Sequence, residues 1–331
     1  MKLKTLLTAC ALPMLAVSVH ANAAKTMRIG IGVPESHFEY AAMKKFEQHV
    51  ETATNNSIDV TIYPSNQLGN DQEALEQIKF NAVQMNLPDP AVLANIVKDF
   101  NILTLPFIFP TEEIANQVVD GEWGQELSSK LTKAGYVGLG YGNFGFRHVT
   151  NNSHPVKTLD DFNGLKLRTM QNKSHLDAFR ALGANPTPMA FSELFSSLQQ
   201  GVVDGQENPY TNIYSQRLYE VQKYISDTGH VYSWVVLVVG KKFYDGLTDV
   251  EKSAMQDAAK IAINHMRDAV KKADAESLQH MIDANLVYTP IDPAVKAKML
   301  AKVAPVVEKY GDSINPDLYK KLVENVARLQ K

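Results

Sequence analysis

Between Met27 and Leu87 the chain alternates short strand-like runs with amphipathic helical ones, and this limits the possible folds more than any other feature. Met27 to Val33 reads as a strand, and Phe38 to Thr54 as a helix with Ala42, Phe46 and Val50 at helical spacing. Ile58 to Tyr63 alternates apolar and polar residues up to Pro64, which predicts a second strand. Asp71 to Asn81 is helical, and Val83 to Leu87 is strand-like. A β-α-β-α-β order of this kind predicts a parallel sheet with helices on both faces, an α/β fold. Glu251 to about Ala284 carries no proline or glycine and keeps Met255, Ala259, Ile261, Ile263, Met266 and Val270 at helical intervals. At 1.5 Å per residue such a helix spans about 50 Å, more than one lobe needs.

The segment from Arg168 to Asn208 carries the candidate chemistry. Leu165-Lys166-Leu167-Arg168-Thr169 alternates as a short strand, with Lys166, Arg168 and Met170 on the face opposite Leu165 and Leu167. An arginine at the end of a strand before a helix sits where α/β sheets open to ligands. Its planar fork matches a carboxylate through two parallel hydrogen bonds. The plain alternative is a surface arginine paired with Asp160 or Asp161. Helices are predicted over Ser174–Leu182 and Ser192–Gln200, and a strand at Val202-Val203. Tyr136–Tyr141 and Phe144–Thr150 read as two strands on either side of Gly142-Asn143, and His230–Val239 as a long β run. Phe100 to Pro110 reads as a proline-broken packed loop, and Pro293–Tyr310 and Asp317–Gln330 as terminal helices.

Several pieces resemble the substrate-binding subunits of TRAP transporters, the tripartite ATP-independent periplasmic importers of organic acids. They are Gly164–Arg168, Gly183–Phe191, Val202–Pro209, Gln67-Leu68-Gly69, Leu105-Pro106-Phe107, Arg147 before Thr150-Asn151, and Tyr219–Tyr224, in the family's order. The resemblance implies a two-lobe, venus-flytrap binding protein with hinge strands and a long helix bracing both lobes. The expected lobes are 24–147 plus 236–290 and 148–235 plus 291–331. It implies that Arg168 pairs with the ligand carboxylate, with Arg147 assisting, Asn208 hydrogen-bonding the carboxylate side and Phe191 forming a wall. Asp89 is a cavity wall or a helix N-cap, and Arg147 has the alternative of an ion-pair partner. His37 and Tyr210 complete the candidate ligand-binding set. The implied role is capture of a small organic acid and its delivery to a TRAP permease. A C4-dicarboxylate is favoured, with a sugar acid or other hydroxy acid next; Arg147, His37 or Lys173 are candidates for a second cation. A sensory binding protein and a secreted enzyme are the competing roles.

Composition narrows the rest. Met1-Lys2-Leu3-Lys4, an apolar run from Leu6 to Val19 and Ala21-Asn22-Ala23 form the three parts of a secretory signal peptide, cleaved after Ala23. The expected location is the periplasm. The single cysteine, Cys10, lies in that leader, so the mature chain has no disulfide or thiol nucleophile. Without Lys2 and Lys4, 31 of the 33 basic side chains face 36 acidic ones. No basic stripe marks a nucleic-acid surface. Gly30-Ile31-Gly32 lacks the third glycine of a dinucleotide site, because position 35 is glutamate. The nucleophile-elbow, P-loop, H-E-x-x-H and C-x-x-C patterns are absent from the sequence, so no enzyme, metal or cofactor is expected. Glu207 has no visible nucleophile partner and reads as a group that fixes hinge geometry. His230 reads as structural rather than catalytic. A monomer is the default expectation.

Overall fold

The computed structural model describes residues 24–331, so the signal peptide expected over 1–23 lies outside the described residues. The strands are β1 (Lys25–Gly30), β2 (Ile58–Tyr63), β3 (Met85–Asn86), β4 (Tyr136–Asn151) and β5 (Lys166–Thr169). They continue with β6 (Asn185–Pro188), β7 (Gly205–Pro209), β8 (Tyr224–Asp227), β9 (Tyr232–Gly240) and β10 (Val287–Pro290). In the first lobe β1 pairs in parallel with β2 and β3, as the alternating pattern requires, and β9 closes the sheet antiparallel to β3 and β4. In the second lobe β5 is parallel to β6 and β7, while the end of β4 lies between β7 and β8. β4 therefore belongs to both sheets and carries the chain from one lobe to the other.

β4 is one strand of 16 residues, where a break at Gly142-Asn143 was expected. Its register against β9 shifts between Gly138 and Tyr141 and again between Asn143 and Gly145. The glycines there serve close packing rather than a turn. A Cβ on Gly142 would lie 2.4 Å from the Met266 sulfur, and one on Gly145 2.4 Å from an Asp274 carboxylate oxygen. Both partners belong to the helix Asp249–Asp283, which crosses the strand directly. That helix runs 35 residues and opens with a capping box between Thr248 and Glu251. Met255, Ala259 and Met266 pack into the first lobe's core with Phe46 and Leu237, while Met281 joins Ile213 and Ile225 in the second. The helix thus braces both lobes.

Three local expectations are corrected. Val202-Val203 is not a strand: Gly201 turns at φ +70°, Val202 is exposed, and the strand begins at Gly205. The loop over 100–110 contains a short helix, Phe100–Leu103. The last helix, Pro316–Leu329, packs Leu318, Leu322 and Val326 against Trp123 and Leu127 of the first lobe. Trp123 also donates to the Leu318 carbonyl at 2.9 Å. Conversely, β10 pairs with β8 of the second lobe, and Tyr232 and Trp234 enter the first lobe's core. The chain crosses between lobes more often than simple boundaries at 147, 235 and 290 allow.

Candidate functional site

A cavity opens between the lobes where the parallel strands end. Arg168 and Met170 face it from the end of β5 and the residue beyond, while Leu165 and Leu167 turn into the second lobe's core, as the alternation predicts. Arg168 is 2% exposed. Its Nε and Nη2 donate to the Met189 carbonyl at 3.0 and 2.8 Å, and its guanidinium carbon lies 5.9 Å from the Phe191 ring centroid. Nη1 is buried without a hydrogen-bond partner among the described residues. Burial pushes the guanidinium down to about 10, although the Glu207 charge opposes the shift, so it stays a cation at neutral pH. The surface pair with Asp160 or Asp161 does not form; Asp161 accepts instead from the Lys157 and Thr158 amides.

Arg147 also lines the cavity, but its charge is spent within the protein. Nε and Nη2 form a two-point bridge to Glu207 at 2.6 and 2.9 Å, and Nη2 reaches the Glu207 carbonyl and the Asn208 side-chain oxygen. Nη1 donates to Ser233 Oγ at 3.1 Å. Glu207 is fully buried and also meets His230 Nε2 at 3.1 Å. Burial opposes its ionisation, but Arg147 and His230 outweigh that and hold the carboxyl well below the usual carboxylate range. Glu207 thus fastens β7 to β4 and to the second crossing at His230. The ion-pair alternative for Arg147 is therefore present alongside its place on the cavity wall.

Asn208, Phe191 and Asp89 line the cavity too. Both readings of Asp89 hold together: its Oδ1 caps the short helix Pro90–Leu93 through the Ala91 amide at 2.8 Å, and its Oδ2 accepts from Ser233 at 3.0 Å. His37 and Tyr210 fall elsewhere. His37 caps the helix Phe38–Ala53 and packs on Phe38 and Phe144, and burial pushes its imidazole down to about 3, so it is neutral. Tyr210 stacks on His148 at 4.0 Å and donates to Asp227 at 3.0 Å. Lys173 is exposed at the start of the helix Lys173–Leu182.

Sequence reasoning missed Glu39, Asp71 and Asn212, which also line the cavity. Burial and the charge of Asp71 push Glu39 well above the usual carboxylate range. Burial pushes Asp71 up to about 6, against the pull of its bond from Asn86. Glu39 did leave a signal, since it precedes Ala42, Met43, Phe46 and Val50 on the buried stripe of its helix. An acid on an apolar stripe is seldom idle. Among the described residues no group of three or more His, Cys, Asp or Glu side chains is placed to hold a metal ion, and no helix is long and apolar enough to cross a membrane.

Residues 29–313 match the family described as bacterial extracellular solute-binding protein, family 7. The chain belongs to that family. It is 39% identical over 275 residues to the C4-dicarboxylate-binding periplasmic protein DctP of Rhodobacter capsulatus, covering 82% of each chain. Its fold is similar to the sugar acid binding protein DctPAm of Advenella mimigardefordensis in complex with galactonate, with a TM-score of 0.90 and 31% identity over 92% of this chain and 98% of that one. It is also similar to a TRAP periplasmic solute-binding protein of Sulfurospirillum deleyianum with bound succinate, with a TM-score of 0.86 and 29% identity over 91% and 99% of the two chains. The TRAP solute-binding family serves transport of small acids with a membrane permease and is not a family of enzymes. The two-lobe α/β architecture expected from the resemblance is that of these neighbours.

Proposed function

We propose that the mature protein, exported by its leader and acting as a monomer in the periplasm, captures a hydroxylated monocarboxylate for a TRAP permease. One observation carries the reading: Arg168 is a buried cation on the cavity wall, its Nε and Nη2 taken by the Met189 carbonyl and its Nη1 without a partner among the described residues. A carboxylate bound there completes its ion pair. Closure of the lobes around that anion gives the permease a state to recognise, by a shift of population toward the form with more ligand contacts.

The charge around the cavity favours one carboxylate over two. Arg147 is neutralised by Glu207, His37 is neutral and off the wall, and Lys173 is exposed. Glu39, Asp71 and Asp89 line the first lobe's side, where burial raises all three carboxyls; that wall offers no cation to a second carboxylate, while ligand hydroxyls meet hydrogen-bonding partners. A C4-dicarboxylate remains the second reading, supported by the similarity to the Rhodobacter capsulatus protein. In that case Arg147 serves both Glu207 and the ligand.

A thermal-shift screen of protein refolded to strip carried ligand separates the two. At a hundred times its dissociation constant a ligand adds about 2.7 kcal/mol, a shift of a few degrees. Sugar acids are expected to outrank succinate and malate, and Arg168→Ala is expected to stay folded and lose roughly a hundred- to a few-thousand-fold in affinity. Unchanged calorimetric affinity in Arg168→Ala sinks the assignment, and a preference for dicarboxylates overturns the first reading in favour of the second.

A further inference from the structure

We propose that Glu39 and Asn212, reaching the cavity from opposite lobes and positioned by His37, form a subsite that recognises a hydroxyl on the ligand's carbon chain. The proposal rests on the reading of the cavity as a carboxylate site and names what holds the rest of the molecule. Glu39 lies in the first turn of the helix Phe38–Ala53 and Asn212 on the helix Tyr210–Ser215. Gln216, one turn beyond Asn212, donates to the Gly32 carbonyl at 3.2 Å and seats that end of the second lobe on the first.

Three buried atoms here lack partners among the described residues: Glu39 Oε1, Asn212 Oδ1 and His37 Nε2. The residues are 1%, 5% and 3% exposed. A buried polar atom left unpaired is costly, and each of the three asks for an explanation. The protonation states follow from the geometry. His37 Nδ1 accepts from the Glu39 amide at 3.2 Å, so the proton of the neutral ring sits on Nε2. The Asn212 amide adjoins that ring, but ordinary hydrogen-bond geometry is not met and both atoms stay unpaired. Burial and then Asp71 hold the Glu39 carboxyl well above the usual carboxylate range, which favours its protonated form, able both to donate and to accept. Asn212 Oδ1 accepts. A ligand hydroxyl, itself a donor and an acceptor, satisfies this pair. A carboxylate only accepts and cannot satisfy Asn212 Oδ1.

The test uses pairs of acids that share a carbon skeleton and differ in hydroxyls: D-galactonate against hexanoate, and D-erythronate against butyrate. Affinities are measured by calorimetry, directly or by competition, on the refolded mature protein. Asn212→Leu and Glu39→Leu are expected to weaken binding of the preferred hydroxy acid by about tenfold to a hundredfold. They should narrow its advantage over the bare acid, and Glu39→Gln should recover part of the loss because its amide also donates and accepts. Should Asn212→Leu fail to fold, Asn212→Ala carries the same comparison. An unchanged advantage in folded variants, or an equal loss for both members of a pair, overturns the subsite and leaves the Arg168 site standing. Failure of wild-type protein to bind any of these acids or succinate overturns both.

Discussion

Arg147 and Arg168 are both about 2% exposed and both line one cavity, yet they are satisfied in opposite ways. Arg147 makes a two-point bridge to a fully buried glutamate and further bonds to Asn208 and Ser233. Among the described residues Arg168 has no carboxylate in hydrogen-bond contact, bonds one backbone carbonyl, and keeps a guanidinium nitrogen unpaired. A buried charge needs a counter-charge, and the protein supplies one for the first arginine and withholds it from the second. Arg147 therefore belongs to the energetics of folding, and Arg168 to those of binding.

The largest expected effect sharpens that division. Removing one partner of a buried bridge costs about 3–5 kcal/mol because the other charge is left uncompensated. Glu207→Ala should therefore lower the unfolding free energy by that order, measured by urea denaturation of the ligand-free protein, while Arg168→Ala should lower it little or raise it. Equal destabilisation by the two substitutions breaks the comparison. The pH dependence has a defined sign. Glu207 has its folded pKa depressed below the unfolded value, so its contribution is complete above about 4.5 and fades as pH falls. The gap between wild type and Glu207→Gln should narrow on acidification below that point.

A smaller effect tests the geometry of the free arginine. Arg168→Lys keeps a cation but cannot hold the Met189 carbonyl and a carboxylate with one planar fork. We expect an affinity loss of roughly tenfold to a hundredfold, between wild type and Arg168→Ala, read by calorimetry with whichever acid binds. Full rescue by lysine shows that charge alone matters.

The difference between the arginines also marks what the sequence could reveal. The strand that carries Arg168 is short and its alternation is local, so its face toward the cavity was legible. The bridge between Arg147 and Glu207 joins residues 60 apart and depends on the register of β4 against β7, which no local pattern encodes. The parallel start of the sheet and the length of the bracing helix were likewise legible from periodicity. The continuity of β4 was not, because its glycines answer to a helix more than 100 residues later in the chain. Tyr210 and His37 lie off the cavity wall for a related reason: Asp227 holds the Tyr210 hydroxyl, and the Glu39 amide holds His37 Nδ1.

The smallest expected effect extends the comparison to the opposite wall, which carries carboxyls rather than arginines. Asp71 is pushed up to about 6, first by burial, with the Asp89 charge adding and the bond from Asn86 opposing. Its folded pKa exceeds the unfolded value, so the fold is favoured by the protonated form and loses stability as pH rises from about 4 through 6. A shift of about two units corresponds to about 3 kcal/mol. Against it, a charged Asp71 in the first turn of the helix Asp71–Lys79 gains up to about 1 kcal/mol from the helix dipole, and Asn86 loses part of its bond on substitution. Asp71→Asn should therefore stabilise the ligand-free protein by on the order of 1–2 kcal/mol at pH 7–8 and by little near pH 4. Thermal unfolding of the two proteins across that range reads the difference directly. A gap that stays constant with pH means that the Asp71 carboxylate is as well solvated in the folded protein as in the unfolded chain, and that burial on the first lobe's wall does not oppose its charge.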